Sequence, residues 1–533
     1  PYPTLFPYTT LFRSIDTYPT RVRLPDEPLM LVDRILSVEG EPFTLSSGRV
    51  VTEHDVLPGA WYLDAGCAPT CIAVESGQAD LFLCAWLGAD LRARGDAVYR
   101  LLDAEVTFHR DLPRVGETIH YDIHIDRFFE QGDSILFHFR FDATVDGVLV
   151  LTMRDGCAGF FTETALAAGR GIIEPRSRPR PAAIAPPRWQ HPSGIAATQL
   201  DATQLGALRA GDLATAFGSA FANLPLTKPM TIPGGEGGKM RLLDRVTSLD
   251  PTGGHWGLGR VTGELDIHPD DWFLTCHFTD DNVMPGTLMY ECCLHTLRVL
   301  LLGMGWVGEE SELEAHPVIG EPGRLRCRGQ VVSSSKVVGY DVSIREIGFE
   351  PEPYVLADAK MLVDGREIVE MRGLSLRLPG LTSEKIDALW VRNAAPTSPP
   401  AEKRYLYDYD SILAYALGKP SEAFGDEYRK LDDGFIARLP APPYCFIDGI
   451  TEVEGPPWIQ QEGTRCVAEY SVPPDAWYFE ASRQPRMPFA ILLEAALQPC
   501  GWLAAYCGSA LTSDEPIHFR NLGGRATQHR EVT

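Results

Sequence analysis

One pattern occurs three times in this chain of 533 residues, and this repetition restricts the possible folds more than any other feature of the sequence. Each copy opens with a similar apolar segment that contains an aspartate: LMLVDRI, MRLLDRV and YCFIDGI. Each then reaches a Pro-x-x-Trp motif, and the separations from aspartate to tryptophan are 28, 28 and 29 residues. The aspartate–tryptophan pairs are Asp33 and Trp61, Asp244 and Trp272, and Asp448 and Trp477. We conclude that the chain repeats a single folding unit.

Every copy also carries a proline six residues before a glutamate, at the head of an apolar segment of helical length. The glutamates are Glu75, Glu291 and Glu494. After the first two helices, long stretches alternate apolar and polar residues between turn signals, which is typical of antiparallel strands. The pattern predicts an α+β unit in which a sheet wraps around a buried central helix. The third copy stops soon after its helix, so we expect only part of the unit there.

Pro-rich stretches between the copies set the predicted boundaries. The predicted units are residues 15–165, 226–382 and 426–533. The predicted linkers are residues 166–225 and 383–425. Within the first linker, residues 203–224 are expected to form one connecting helix. Residues 1–14 repeat Pro, Tyr, Thr, Leu and Phe without the layout of a signal peptide, and we expect a non-native leader that takes no part in the fold.

Charge and composition argue against several classes of partner. The formal net charge is −24 and the isoelectric point is near 5.0, so attraction to a nucleic-acid backbone would be poor. The 12 cysteines follow no disulfide framework, which is typical of reduced thiols in a cytoplasmic protein. No apolar run approaches the roughly 18 residues of a membrane-spanning helix. We therefore expect a cytoplasmic protein without nucleic-acid or membrane partners.

The copies differ at one position where chemistry can be expected. Five residues after the shared tryptophan, the second copy has His277, whereas the first has Gly66 and the third has Ser482. A position that accepts glycine or serine in its sister copies does not need an imidazole for folding. His277 is therefore the first candidate for a catalytic residue, and the pattern around it predicts the end of a strand.

The segment CHFTDDNVMPGTLMYE, residues 276–291, resembles the active-site segment of the 3-hydroxyacyl-[acyl-carrier-protein] dehydratases of the hot-dog fold. Their pattern is Cys-His-Phe, an acidic loop, Val-Met-Pro-Gly, and an acid fourteen residues after the histidine. His277 and Glu291 have this separation. The match is to the β-hydroxydecanoyl dehydratase type. The tandem copies are similar to the dehydratase region of polyunsaturated fatty acid synthases, and this likeness covers nearly everything after residue 20.

The resemblance implies a double hot-dog fold for the first two copies and a partial third hot-dog unit. It implies dehydration of 3-hydroxyacyl thioesters to trans-2-enoyl thioesters within a polyunsaturated fatty acid or polyketide synthase. The substrate would be carried on the phosphopantetheine arm of an acyl carrier protein, and no metal or organic cofactor is needed. The partners would be this carrier protein and other synthase domains. The acyl chain length, a homodimer and an accompanying isomerisation of the double bond stay open.

The residue types fit this chemistry. Dehydration needs a base for the C2 proton, an acid for the departing hydroxyl group and donors for the thioester oxygen. A histidine near neutral pKa supplies the base, and a carboxyl kept protonated by an apolar helix supplies the acid. Backbone N–H groups at the helix start, near Gly286, could supply the donors.

Two carboxyl groups compete for the role of the acid. In single hot-dog dehydratases the histidine of one subunit meets the acid of the other, so the resemblance pairs His277 with Glu75 of the first copy. Gln78, one turn further, would orient the acid. Glu291 is the alternative acid; in the crossed arrangement it faces the vacant Gly66 side.

Other features leave further alternatives open. A basic stripe on a predicted strand, Arg324, Arg326 and Arg328, is typical of a solvated strand face and is also our candidate contact for an acidic carrier protein. The third copy is expected to be inactive as it stands, because Ser482 occupies its histidine position. A hot-dog acyl thioesterase and a non-catalytic acyl-binding scaffold remain the alternative functions.

Overall fold

The structure is a computed structural model that describes residues 15–173, 182–186, 197–222, 224, 232–234, 236–308, 314–393, 405–473, 476–482, 486–515, 517–520, 522–528 and 532. The predicted leader, residues 1–14, lies outside the described residues. The chain divides into two compact units, Pro1–Ala395 and Pro396–Thr533, and each is described by itself.

The first repeat wraps a sheet around a central helix that is interrupted after one and a half turns. Its described strands are β1 (Arg34–Glu39), β2 (Gly48–Asp55), β3 (Ala97–Phe108), β4 (Thr118–Gln131), β5 (Ser134–Val145) and β6 (Val148–Thr162). Its described helices are α1 (Thr70–Glu75), α2 (Asp80–Leu87), α3 (Ala89–Ala93) and α4 (Glu163–Ala167). Buried and half-buried residues alternate along β4, as an amphipathic strand requires.

The second repeat has the same plan around an unbroken central helix. Its described strands are β7 (Arg245–Asp250), β8 (Arg260–Asp266), β9 (Pro322–Cys327), β10 (Val337–Gly348), β11 (Tyr354–Val363) and β12 (Arg366–Arg377). The helices α5 (Ala202–Ala210) and α6 (Leu213–Phe217) precede the repeat. Within it, α7 (Trp272–Cys276) and the central helix α8 (Gly286–Gly303) lie between β8 and β9, and α9 (Ser383–Asn393) follows β12. Short 3-10 segments occupy Ser219–Phe221 and Glu236–Gly238. The antiparallel strands predicted from the alternation are confirmed in both repeats.

The single connecting helix predicted over residues 203–224 is wrong. Gly211, with φ of 88°, ends α5 in the left-handed conformation that glycine adopts without a steric penalty. The next residue, Asp212, caps α6 by accepting a hydrogen bond from the backbone N–H of Thr215. The stretch therefore forms two short helices and a 3-10 turn.

The second predicted linker, residues 383–425, also contains helices. Ile386 and Leu389 of α9 are buried in the core of the first unit. The second unit buries Ile412 and Tyr415 from the helix that begins at residue 409. Apolar residues at helical spacing, rather than the prolines between them, decide the structure of these segments.

The two repeats share one antiparallel sheet with twelve strands among the described residues, in the order β1-β2-β4-β5-β6-β3-β9-β12-β11-β10-β8-β7. The second half of this order is the counterpart of the first half in reverse, which places a pseudo-two-fold axis at its centre. There β3 pairs with β9, residue 103 opposite residue 326 and residue 107 opposite residue 322. The helices α1 and α8 contact each other inside the sheet. This is a double hot-dog fold.

The repeated aspartates and tryptophans make the same backbone contacts in all three copies. Each aspartate accepts a hydrogen bond from a backbone N–H about 22 residues later; the pairs are Asp55 to Asp33 at 2.6 Å, Asp266 to Asp244 at 2.9 Å and Ser471 to Asp448 at 2.7 Å. Each indole N–H donates to an earlier carbonyl; the pairs are Trp61 to Pro28 at 3.1 Å, Trp272 to Lys239 at 3.0 Å and Trp477 to Pro443 at 3.0 Å. The repeated motif therefore fixes the fold of each unit.

The second compact unit contains the third repeat, in which only a small part of the sheet is described. Its elements are α10 (Tyr409–Ala416), α11 (Pro420–Phe424), β13 (Gly449–Glu454), β14 (Arg465–Glu469), α12 (Trp477–Ser482) and α13 (Phe489–Tyr506). Its 3-10 segments are Asp426–Leu431 and Ser509–Leu511. The strands β13 and β14 form a two-stranded antiparallel sheet. This arrangement agrees with a partial hot-dog unit.

The helix α13 corrects the expectation that no segment is apolar enough to cross a membrane. Its 18 residues, Phe489–Tyr506, reach a mean hydropathy of 1.3, which meets that requirement by length and composition alone. The repeat gives α13 the position of the central helix, and 28% of its residues are buried. The helix therefore satisfies a criterion that core helices also satisfy.

Candidate active site

His277 lies directly after α7, and the prediction that it ends a strand is wrong. A short apolar run such as Trp-Phe-Leu-Thr-Cys does not distinguish a strand from a helical turn. After His277 the chain folds back, so that the N–H of Val283 donates to the carbonyl of His277 at 2.8 Å. The ring nitrogen Nδ1 lies 2.7 Å from the carbonyl oxygen of Val283. Because a carbonyl only accepts hydrogen bonds, Nδ1 carries the proton of the neutral ring and Nε2 keeps its lone pair.

Glu75 of the first repeat faces this lone pair. Its Oε1 lies 3.9 Å from Nε2 of His277, and the side chains of histidine and glutamate are 9% and 5% exposed. Glu75 is the last residue of α1, and its other oxygen, Oε2, accepts a hydrogen bond from the hydroxyl group of Thr287 in α8. The structure thus brings together the crossed pair of residues, with one partner from each repeat.

Burial moves the pKa values of these two groups in opposite directions. Desolvation lowers the pKa of His277 to about 4, although the hydrogen bond to Val283 opposes the shift. Desolvation raises the pKa of Glu75 to about 7, although the hydrogen bond from Thr287 opposes it. Between these values the imidazole is neutral while the carboxyl group is protonated. The pair can therefore act as a base and an acid at the same time.

A cavity lined by residues of both repeats lies along the seam between them, and neither His277 nor Glu75 is among its lining residues. Gln78 and Thr287 line it near Glu75, and Gly286 lines it at the start of α8. Its other walls are mostly apolar side chains of β3, β6 and β9: Leu101, Val106, Phe108, Met153 and Leu325. Such a cavity suits an extended apolar chain with a polar head.

The predicted orienter of the acid, Gln78, and the predicted oxyanion-binding residue, Gly286, both line this cavity. Gln78 lies in the turn between α1 and α2, and its N–H donates to the carbonyl of Glu75 at 2.9 Å. Gly286 is the first residue of α8, where backbone N–H groups have no acceptor within the helix. The positions of both residues are compatible with the predicted roles, which stay predictions.

Glu291 has different partners. It accepts a hydrogen bond from the backbone N–H of Cys71 at 3.1 Å, and its Oε1 lies 3.4 Å from Nε2 of His295. Burial would raise the pKa of Glu291, but His295, the Cys71 N–H and Arg298 outweigh it and hold the pKa below its usual value. Glu291 is therefore an ionised group, unlike Glu75.

Arg298 connects Glu291 to a further acidic group, and together they form a charge network with little solvent exposure. Its Nη1 lies 2.5 Å from Oδ2 of Asp64, and the arginine and aspartate side chains are 3% and 19% exposed. Asp64 stands two residues before Gly66, the counterpart of His277. The network thus links the two repeats near the position that lacks an imidazole. The sequence analysis missed it, although His295 and Arg298 share the helix face of Glu291 at spacings of four and seven residues.

Arg324 and Arg326 lie on β9 at the seam, and Arg328 follows directly after this strand. Each guanidinium group is ion-paired; the pairs are Arg324 with Glu105, Arg326 with Glu370 at 3.6 Å and Arg328 with Asp103 at 2.9 Å. Two of these three acidic partners belong to the first repeat, so the stripe connects the repeats. Contact with a carrier protein stays a prediction, and the ion pairs favour the alternative of a solvated strand face.

A group of potential metal ligands, Cys67, Glu314 and His316, has its ligand atoms within 4.8 Å of one another. These atoms already have protein partners. Nδ1 of His316 accepts the N–H of Leu112 at 3.1 Å, and its Nε2 lies 3.0 Å from Glu314. Arg114 binds both carboxylate oxygens of Glu314. We assign this cluster a structural role.

The third repeat offers a carboxyl group without an imidazole at the corresponding position. Glu494 of α13 accepts a hydrogen bond from Gln498 at 3.2 Å. The hydroxyl group of Ser482 donates to the carbonyl of Phe479 at 3.3 Å. A site like that of the first unit is therefore not formed by the described residues of this repeat.

Comparisons with known proteins identify related chains. The sequence model described as FabA-like domain matches residues 24–154 and 236–372, slightly more than half of the chain. A polyunsaturated fatty acid synthase subunit of Thraustochytrium sp. (strain ATCC 26185 / S-3) is 28% identical over 639 aligned residues. This alignment covers 97% of the present chain and 42% of the relative, so the chain spans less than half the length of that protein.

Similar solved structures include two acyl-handling proteins. The dehydratase domain from the CurK module of curacin polyketide synthase is 12% identical, with 66% of this chain and 99% of that chain covered at a TM-score of 0.31. The 12:0-ACP thioesterase from Umbellularia californica is 10% identical, with 62% and 93% covered at a TM-score of 0.31. At these TM-scores we base no argument on either structure.

Replacement of Arg298 tests the charge network. Arg298→Met is expected to lower the free energy of unfolding by about 3 kcal/mol, because Glu291 then stays buried, and Asp64 half-buried, without their cation. Urea unfolding followed by circular dichroism measures the change. The matched control is Arg324→Met, which removes an exposed ion pair between the same repeats and should cost about 0–1 kcal/mol. Equal small losses in both variants would show that the network does not stabilise the fold.

Proposed function

The chain belongs to the family of FabA-like domains, and on that basis we propose that it dehydrates 3-hydroxyacyl thioesters to trans-2-enoyl thioesters. The observation that carries the proposal is the His277–Glu75 pair, in which the ring nitrogen Nε2 and the carboxyl oxygen Oε1 lie 3.9 Å apart. Gln78 and Thr287, which are both hydrogen-bonded to Glu75, line a largely apolar cavity. The pKa values of about 4 and about 7 leave a neutral base and a neutral acid together in one pH range.

In the proposed reaction Nε2 of His277 accepts the proton from C2 of the substrate. The electron pair of that C–H bond forms the double bond between C2 and C3, and the C3–O bond breaks. Glu75 gives its proton to the departing hydroxyl group, which leaves as water. Backbone N–H groups at the start of α8, including that of Gly286, would stabilise negative charge on the thioester oxygen. A proton transfer from His277 back to Glu75 restores the starting state.

Thr287 determines which oxygen of Glu75 carries the acidic proton. Its hydroxyl group donates to Oε2, and an oxygen that accepts this bond acts as the carbonyl-like oxygen of a protonated carboxyl group. The proton therefore belongs on Oε1, the oxygen nearest to His277. The acid and the base are thus directed at the same space, as the removal of H and OH from adjacent carbons requires.

We further propose that the substrate reaches the site on the phosphopantetheine arm of an acyl carrier protein, within a synthase of the cytoplasm. The name of the Thraustochytrium relative, which describes a part of a polyunsaturated fatty acid synthase, supports this assignment. The apolar walls of the cavity, which include Phe108 and Met153, would hold the acyl chain. The partners would be the carrier protein and other synthase domains.

Two isosteric variants test the assignment of the acid. Glu75→Gln should lower kcat for a 3-hydroxyacyl thioester by at least about 100-fold, because the amide cannot donate a proton to the hydroxyl group. Glu291→Gln is the matched control from the other repeat and should keep most of the activity. The absorbance of the conjugated thioester measures turnover. An inactive but folded Glu291→Gln beside an active Glu75→Gln would contradict the assignment, and release of free thiol would indicate a thioesterase.

The pH profile tests the protonation states. Dehydration requires neutral His277 and protonated Glu75, so kcat/KM should fall below about pH 4 and above about pH 7. The hydroxyl group of Thr287 lowers the pKa of Glu75, so Thr287→Val should move the alkaline limb to higher pH. An unchanged or lowered alkaline limb in Thr287→Val would contradict the role of Glu75.

A further inference from the structure

The loop that carries the catalytic imidazole, residues 277–283, is tied to the first repeat by its acidic side chains. Within the loop, the N–H of Phe278 donates to the carbonyl of Asp281 at 2.6 Å. The carboxylate of Asp281, however, binds Arg100 of β3 through two hydrogen bonds, Nη1 to Oδ2 at 2.5 Å and Nη2 to Oδ1 at 2.9 Å. The arginine and aspartate side chains are 11% and 12% exposed. This ion pair is therefore largely protected from solvent.

Arg100 is itself held in a fixed orientation. Its Nε donates to Oε1 of Gln330 at 2.7 Å, and its Nη1 also donates to the carbonyl of Tyr99 at 2.5 Å. The ring of Tyr99 meets the ring of Phe278 edge to face, with centroids 6.2 Å apart. A bidentate arginine–carboxylate pair restricts both direction and distance. The first repeat thus supplies a rigid support for the residues that follow His277.

The neighbouring carboxylate makes a weaker tie. Asp280 lies 3.2 Å from Nη2 of Arg23 and accepts the N–H of Arg21 at 3.3 Å. The side chains of Arg21 and Arg23 are more exposed than that of Arg100, and exposed ion pairs contribute little. The Arg100–Asp281 pair is therefore the principal tie between this loop and the first repeat.

From these contacts we propose that Arg100 is a positioning residue for His277, acting through Asp281 across the boundary between the repeats. The inference rests on the proposed function, because it concerns the placement of the proposed base. The first repeat then contributes the acid and also the element that holds the base in place. Glu75 and His277 keep their separation because β3 fixes the loop and the crossing of α1 and α8 fixes the carboxyl group.

The charges that face His277 give the proposal a specific signature. They are Arg100 from β3 and Asp281 from its own loop, with Asp280 and its arginines further out; the neutral carboxyl group of Glu75 from α1 also faces the ring. The Arg100 cation disfavours protonation of the imidazole, whereas the Asp281 anion favours it. Removal of Arg100 should therefore raise the pKa of His277, and removal of Asp281 should lower it.

The test uses Arg100→Met and Asp281→Asn in the full chain. Each variant should lower kcat by about tenfold to a hundredfold with a smaller change in KM, because the base is displaced while the cavity is intact. Arg100→Met should raise the pKa of His277 and move the acidic limb of kcat/KM to higher pH, and Asp281→Asn should lower that pKa. In the double variant, the pKa of His277 should lie between its values in the two single variants. Arg114→Met is the control, since it also breaks a bidentate ion pair between the repeats and should keep normal turnover.

The titration of His277 can be followed without turnover, by NMR of the ¹⁵N-histidine-labelled protein with His277→Ala for assignment. Opposite shifts in Arg100→Met and Asp281→Asn would support the proposal. Normal kcat and an unchanged titration in a folded Arg100→Met would overturn it, and so would equal losses in Arg100→Met and Arg114→Met without a shift. Absence of turnover in the unmodified protein would refute the proposed function and leave the titration as a separate test of positioning.

Discussion

The structure depends on a reciprocal contact at the crossing of the two central helices. Near its start, each helix offers a hydrogen-bond donor to the buried glutamate of the other: the hydroxyl group of Thr287 to Glu75, and the backbone N–H of Cys71 to Glu291. These contacts place two carboxyl groups in a low-dielectric interior on either side of a pseudo-two-fold axis. Their surroundings then decide what each can do. Glu75 has one neutral hydrogen-bond donor, Thr287, and is protonated. Glu291 has His295 and Arg298 beside it, and these groups keep it ionised.

Fusion of two repeats in one chain permits this divergence. In a symmetric homodimer the same residue would stand at both positions, so a change that removes the imidazole from one side would remove it from the other. Here His277 and Gly66 occupy equivalent positions in one polypeptide. One side keeps the neutral acid and base that the proposed reaction needs, and the other has acquired an ion network between Asp64 and Arg298 that joins the repeats.

The sequence predicted those features that are encoded in local period and in the comparison of copies. The alternation of apolar and polar residues predicted the strands β4 to β6 and β10 to β12. The comparison of the copies showed that Glu75 and Glu291 are equivalent and that only the second copy has a histidine, His277, at its position. The helix that ends at Cys276 was misjudged because its five residues are too few to show a period, and the break at Gly211 was missed because a glycine inside a helical pattern does not by itself end the helix. The contacts of Glu291 with Cys71 and of Asp281 with Arg100 could not be predicted, since they join residues more than 180 positions apart and depend on how the two repeats align.

The pairing of β3 with β9 has a consequence for how such a molecule would lose its activity. The two repeats share one hydrophobic core, and the proposed base, its supporting arginine and the proposed acid are divided between them. A small opening along this junction would separate the reacting groups while the strands on either side stayed intact. Catalytic competence in this architecture would therefore depend on how closely the two repeats stay paired at β3 and β9.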